Sequence, residues 1–333
     1  MKVSMIHGAG GEAMNELLRE LLSELSSKSS KDVYGLEGMD DGAVIDLNGS
    51  KLVFTTDSHA VDPIFFPGGD IGKLSICGTA NDLAVMGARP LFFSNSMVIG
   101  EGFEVEELKR IMRSMDEVLR ELGAVLVTGD TKVIEREALR GLIINTSGIG
   151  IAERPIYDSG LKPGDKIIVS GTIGDHGLCI LCHREGFEFE TPIFSDVSPV
   201  WEVVERALRT GGVTAMKDPT RGGLAAALNE MASKSGVRIE VDEELIPIKE
   251  SVRSASEMLG IDPLEVANEG KVVMGVQKDK AEEVLEEIRK TKYGKDAMII
   301  GEVKEGSKVI MRTKVGGRRI VDMPLGDPIP RVC

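Results

Sequence analysis

Residues 40–57 read DDGAVIDLNGSKLVFTTD, and this stretch sets the class of fold. Two short runs of β-branched and other apolar residues, 43–47 and 51–56, flank Asn48-Gly49. That dipeptide readily takes the left-handed conformations of a tight hairpin turn. The stretch therefore predicts a β-hairpin with carboxylates at both ends, Asp40 and Asp41 before the first strand and Asp57 after the second.

Outward toward the N-terminus, Met14, Leu17, Leu18, Leu21, Leu22 and Leu25 recur at helical spacing until a Ser- and Lys-rich run at 26–31 breaks the pattern. Residues 1–35 thus read as a helical arm and linker. In the other direction the sequence predicts a helix over 73–86 stopped by Gly87, a strand over 92–99, and an amphipathic helix over 105–122 closed by Gly123. Strands at 124–128 and 142–148 complete a first domain, 36–155. Beyond the Pro- and Gly-containing junction at 155–165, a second domain, 156–317, carries strands at 166–170, 272–276, 298–303 and 309–312 and helices near 199–209, 224–235 and 280–292. The expected class is α+β, each domain a mixed sheet covered by helices. Residues 318–333 read as a flexible tail.

A chain of 333 residues with 42% hydrophobic content supports two packed cores. Aromatic residues make up 4%, so those cores must be aliphatic. The net charge of −14 argues against nucleic-acid binding, which needs clustered cations. No run is long enough to cross a bilayer and no export leader is evident, so the cytoplasm is expected. Four scattered cysteines, at 77, 179, 182 and 333, do not form a disulfide framework.

Carboxylates recur at predicted strand ends and turns, in Asp40-Asp41-Gly42-Ala43, Thr55-Thr56-Asp57, Asn81-Asp82-Leu83-Ala84 and Thr128-Gly129-Asp130-Thr131-Lys132. Each alone fits turn or capping chemistry. Taken together with the Gly-rich segments 7–11 and 170–177, they suit Mg²⁺ bridging the phosphates of a nucleotide. Neither a Walker A pattern nor a strand-linked G-x-G-x-x-G is present. The C-terminus has a different texture. From Met323 it contains three prolines and ends in Arg331-Val332-Cys333, an extended segment with a thiol at its tip. The stretch Cys179-Ile-Leu-Cys182-His183 has haem-attachment spacing, but it lies in an apolar segment that reads as a buried helix, and it offers only three local ligands to zinc.

These motifs, followed by Asp218-Pro-Thr-Arg-Gly-Gly-Leu224, resemble the ATP-binding superfamily of aminoimidazole ribonucleotide synthetase, selenophosphate synthetase and thiamine-monophosphate kinase across about 36–312. Within it, His7-Gly-Ala-Gly-Gly11, Phe66-Pro-Gly-Gly-Asp70, Asn268-Glu-Gly-Lys271 and Pro330-Arg-Val-Cys333 resemble the HypE family of hydrogenase maturation factors, whose usual ending has Ile in place of Val332. The resemblance implies ATP-dependent dehydration of a carbamoyl group on Cys333 to a thiocyanate, the source of the cyanide ligands of a NiFe hydrogenase. It implies that Asp41, Asp57, Asp82 and Asp130 surround ATP and Mg²⁺, with Asp218 contributing from the second domain and with Thr56, Asn81 and Asp175 as further nucleotide-binding candidates. It also implies a homodimer joined through the first domains, a HypF-like carbamoyl donor and a HypC–HypD cyanide acceptor.

Lys132 is the candidate to offset phosphoryl charge and Glu269 the candidate base. His59 is a candidate for contact with substrate. His176 reads either as phosphate-facing or as packed, and Arg331 either orients the tail on a carboxylate or stabilises the thiolate. Two alternatives remain beside the dehydratase. Another enzyme of the superfamily is one, although a selenophosphate synthetase should carry a thiol or selenol in the 7–11 loop, where this chain has none. A non-catalytic, ATP-switched scaffold is the other.

Overall fold

The computed structural model describes residues 2–28, 30–187 and 189–333. Helix α1 (Gly11–Ser23) forms the expected arm. The first sheet contains β1 (Val33–Tyr34), β2 (Ala43–Leu47) and β3 (Ser50–His59). The last two are the predicted hairpin, in register from Leu47 opposite Ser50, with Asn48 and Gly49 both at positive φ, 53° and 93°. A small ribbon follows, β4 (Phe65–Phe66) and β5 (Gly69–Asp70).

Helix α2 (Ile71–Val85) begins where the Asp70 carboxylate accepts from the backbone N–H groups of Gly72 and Lys73, and it is buried almost all round. Strand β6 (Arg89–Gly100), helix α3 (Val105–Leu122) and strand β7 (Val125–Ile134) make a crossover that leaves β7 parallel to β6. Strand β8 (Leu142–Ala152) inserts between β3 and β6, giving the order β1-β2-β3-β8-β6-β7. Helix α3 lays Ile111, Met115, Val118, Leu119 and Leu122 into the core, the stripe expected of one buried face.

The second domain comprises β9 (Lys166–Val169), α4 (Asp175–Glu185), α5 (Trp201–Thr210), β10 (Val213–Lys217), α6 (Gly223–Ser235), β11 (Arg238–Asp242), α7 (Glu250–Leu259), β12 (Val273–Val276), α8 (Ala281–Arg289), β13 (Met298–Lys304), β14 (Val309–Arg312) and β15 (Arg318–Val321). Its strands run β10-β12-β9-β13-β11-β14-β15. Both sheets are mixed and helix-covered, as expected. Strands β10 and β11 and helix α7 are additions to the sequence reading. The segment expected as a tail starts as edge strand β15, because Arg318–Val321 pairs with β14.

The two domains share a core. The cluster around Ile71, Leu74 and Leu83 continues into Cys179, Ile180 and Val252 and into Ile329 and Val332 of the C-terminal segment. That segment is therefore docked in this conformation, where the sequence suggested a loose tail. An ion pair also crosses the junction, with Lys217 Nζ 2.7 Å from Asp41, while Glu230 at 3.2 Å and Asp158 at 3.6 Å hold the same lysine from within the second domain.

Candidate active site

Four of the expected carboxylates converge where the domains meet. Asp41 precedes β2, Asp57 lies on β3, Asp82 on α2, and Asp218 follows β10. Asp57 and Thr55 share one side of β3, since alternate residues of a strand face the same way. Thr55 Oγ1 lies 2.9 Å from both Asp82 Oδ2 and the Asp41 carbonyl oxygen. Behind them the buried His59 places Nε2 3.1 Å from Asp57 Oδ2. Gly78 on α2 makes room for this pair, because a Cβ there would lie 2.8 Å from His59 Nε2 and 3.3 Å from Asp57 Oδ2.

Crowded carboxylates out of water resist ionising together. Burial and Asp41 push Asp218 up to about 8. Burial, Asp218 and Asp57 hold Asp82 well above the ordinary carboxylate range. Asp57 goes the other way: against burial, His59 and Arg221 hold it at about 2. One oxygen each of Asp41, Asp218 and Glu269 is buried with no hydrogen-bond partner. Orphaned carboxylate oxygens suit a hard cation. Among the described residues, however, no three His, Cys, Asp or Glu side chains are gathered closely enough to hold a metal unaided. The donor set fits Mg²⁺ arriving on phosphates, which binds through one or two carboxylates while phosphate oxygens and waters supply the rest.

Glu269 borders the same well. Its backbone N–H donates to Asp196 Oδ1 at 3.1 Å and its carbonyl accepts from Asn81 Nδ2 at 3.2 Å, so the main chain is fixed on both sides. Burial, then Asp57 and Asp218, raise its carboxyl well above the ordinary value. The tail brings in Cys333, whose thiol burial pushes far up, while Arg221 pulls it back and Glu269, Asp57 and Asp327 add to the rise. The Ala60 N–H, one residue beyond His59, donates to the Cys333 carbonyl at 3.1 Å, so the tail ends next to the strand that carries Asp57. Arg221 is the charged neighbour of this well that the sequence reading did not single out, although it lies inside the quoted 218–224 motif.

Other candidates lie elsewhere. Thr56 faces the opposite side of β3, where Asn145 and Ser147 hydrogen-bond to it, and Thr55 takes the place expected of it. Asn81 is consumed in joining the domains, donating to the Ser198 and Glu269 carbonyls and accepting from the Val200 N–H. Asp175 bonds Thr172 and pairs with Lys249 at 2.8 Å, anchoring the start of α4. Asp130 and Lys132 are exposed on β7. Three strand spacings of about 4.8 Å separate β7 from β3, so roughly 14 Å of sheet divides them from Asp57 within one chain. Arg331 follows the first of its two expected readings, pairing with Asp62 at 3.2 Å. His176 is packed against the tail.

Comparison with known proteins agrees with the two-domain fold. The chain matches the AIR synthase related protein family, N-terminal domain over residues 39–152 and C-terminal domain over residues 162–314. It is 44% identical over 337 residues to the carbamoyl dehydratase HypE of Cupriavidus necator, covering 100% of this chain and 95% of that one.

The chain belongs to the HypE family.

It is also 54% identical, over the full length of both chains, to a putative hydrogenase expression/formation protein of Methanocaldococcus jannaschii. A HypE structure solved in complex with HypF superposes with a TM-score of 0.86 at 46% identity, covering 92% of this chain and 99% of that one. A HypE structure in complex with ATP superposes at 0.83 and 39% identity over the whole of both chains. The docked terminal cysteine of this HypE family member therefore sits in a two-domain scaffold of a kind that binds ATP. No helix among the described residues is long and apolar enough to cross a membrane.

Proposed function

We propose that this chain is an ATP-dependent carbamoyl dehydratase that acts on its own terminal residue. The observation that carries the reading is the docking of Cys333 against the end of β3, where the Ala60 N–H, one residue beyond the Asp57-paired His59, donates to its carbonyl at 3.1 Å, and where the charges of Arg221, Glu269 and Asp57 act on its thiol. A carbamoyl group loaded on that sulfur by a HypF-like donor would place its carbonyl oxygen toward the well. The oxygen takes the γ-phosphoryl group, ADP departs and one nitrogen proton is lost. The carbon–oxygen bond then breaks, phosphate leaves, and removal of the second nitrogen proton leaves S–C≡N. Glu269 is assigned as the base, active once its high-pKa carboxyl has ionised.

Mg²⁺ arriving on the phosphates and held by one or two carboxylates from the set Asp41, Asp57, Asp82 and Asp218 would supply charge neutralisation there. Arg221 orients the sulfur substituent. Lys132 and Asp130 belong to this chemistry through a second copy of the chain. Strand β7 is an edge with Val125, Val127 and Val133 more than half exposed, and the uncovered sheet face beside it carries exposed Phe54, Phe92 and Ile151. A homodimer closing on that face would deliver Lys132 to the partner's site. A HypC–HypD-type acceptor then receives the cyanide, and the reaction is placed in the cytoplasm.

The test incubates the full chain with a carbamoyl donor protein and ATP and follows Cys333 by peptide mass spectrometry. A carbamoyl adduct that loses water only with ATP is expected. Adduct that persists unchanged with ATP, or ATP turnover without any change at Cys333, would reject the dehydratase and favour the scaffold. Lys132→Ala and Glu269→Gln are expected to accept the carbamoyl group and retain it.

A further inference from the structure

The docking of the tail involves residues that the reaction above does not use. Helix α4 presents His176 and Arg184 two turns apart on one stripe. The His176 ring is fully buried and bonded at both nitrogens, with Nδ1 2.7 Å from Ser195 Oγ and Nε2 2.7 Å from the Val332 carbonyl oxygen. Ser195 Oγ accepts from the Val197 N–H at 3.1 Å and keeps its own proton available to donate to His176 Nδ1. A carbonyl oxygen can only accept. The tautomer follows: Nδ1 accepts and Nε2–H donates to the tail. Burial lowers the ring's pKa and keeps it neutral.

Arg184 completes the grip. Its Nη1 donates to the Pro330 carbonyl at 2.8 Å, its Nη2 to the Arg331 carbonyl at 3.0 Å and its Nε to the Asp62 carbonyl at 2.7 Å. Three successive tail carbonyls, at 330, 331 and 332, are thus held from one helix, and none of these bonds reads a side chain of the tail. On the opposite side the Asp62 N–H donates to the Arg331 carbonyl and the Ala60 N–H to that of Cys333, at 3.2 and 3.1 Å.

The Phe66–Asp70 motif and the first cysteine of the C-x-x-C-H pattern find a place here as well. The Phe66 ring stands edge-on to His176 with centroids 5.5 Å apart. The Pro67 carbonyl accepts from the Ser195 N–H at 2.9 Å and from Cys179 Sγ at 3.3 Å. This loop of the first domain therefore fixes the serine that fixes the histidine.

We propose that α4 is a latch that seats the C-terminal tail for reaction, with His176 as the positioning residue that sets the reach of Cys333 into the well and Arg184 as its second hold. The inference rests on the dehydratase reading for its purpose, but not for its geometry. Because the latch holds main-chain carbonyls through hydrogen bonds, undoing it needs no change of charge on His176 or Arg184.

The test uses the full chain as wild type, His176→Ala, His176→Gln and Arg184→Gln. A glutamine amide nitrogen can stand where Nε2 stands, so it restores the donor without the ring. Cys333 alkylation by iodoacetamide, read by peptide mass, reports how often the tail leaves. Single-turnover loss of water from the carbamoyl adduct reports how well it is seated. His176→Ala is expected to alkylate about 10-fold faster and dehydrate about 10-fold more slowly, as loss of one buried hydrogen bond would give, with nucleotide affinity and carbamoyl loading unchanged. His176→Gln should return both rates to within about 3-fold of wild type.

Wild-type alkylation by His176→Ala, a His176→Gln as defective as His176→Ala, or a parallel loss of nucleotide affinity would each overturn the latch. Should His176→Ala not fold, Arg184→Gln at its partly exposed site decides alone, and alkylation at the wild-type rate refutes the proposal. Failure of the wild type itself to form thiocyanate rejects the proposed function, while the alkylation rates still judge the latch.

Discussion

Replacing Asp218 with Asn should change the number of protons released when the site takes up a Mg²⁺–nucleotide. Burial and Asp41 place the Asp218 pKa at about 8, so at pH 7 its carboxyl holds roughly 0.9 of a proton. A cation in the well requires the ionised carboxylate, and binding must expel that fraction. The share contributed by Asp218 falls to about 0.5 at pH 8 and about 0.1 at pH 9. Asp82 and Glu269 are also raised, so wild-type release exceeds this share and the difference between wild type and variant isolates it.

Titration calorimetry in buffers of different ionisation enthalpy measures that difference directly. Asn keeps the shape and one carbonyl oxygen able to ligate the cation, so binding should weaken without vanishing. Equal proton release by the two proteins at pH 7 would refute the assignment of Asp218 to the cation site. A linked effect appears in the free protein. The folded pKa lies above the ordinary 3.8, so the contribution of Asp218 to stability is complete below that value and is lost as pH rises through about 8. Asp218→Asn should accordingly flatten the fall of Tm between pH 4 and 8.

Gly78→Ala would put a methyl group 2.8 Å from His59 Nε2, which should cost about 1–3 kcal/mol. Scanning calorimetry should show a Tm lower by several degrees, and an unchanged Tm would mean that the His59–Asp57 pair yields freely. Lys217→Met leaves Asp41, Asp158 and Glu230 without their shared cation; a loss of about 3–5 kcal/mol in denaturant unfolding at neutral pH is expected, and a loss below about 1 kcal/mol would deny the junction its ionic role. Val127→Lys places a charge on the exposed edge of β7, a substitution that blocks strand pairing. Light scattering should then find monomers, and persistent dimers would move the interface elsewhere.

The sequence by itself determined the elements whose physics is local. The 43–56 hairpin follows from Asn48-Gly49, the end of α3 from Gly123, and the buried face of α3 from apolar spacing. Its chemistry was equally legible where residue type alone restricts the role: carboxylates at turns, a terminal thiol and a proline-rich approach to it. Only the tertiary structure decided which of these residues meet. Asp41, Asp57, Asp82 and Asp218 come from four separate segments, and the packing of α2 between the sheets brings them together with Glu269. The period-2 alternation of β3 put Thr55 in the well and turned Thr56 away, a choice that depends on which face α2 covers. Asn81 looked like a ligand because it adjoins Asp82, yet a helix points neighbouring side chains in different directions and sends it to the other domain. Strands β10 and β11 were unreadable because short runs such as Val213–Lys217 and Arg238–Asp242 gain their hydrogen bonds only from strands distant in sequence. The tail shows the limit most clearly. Its prolines forbade a helix, but the carbonyls it offers find their donors on α4, some 150 residues earlier in the chain.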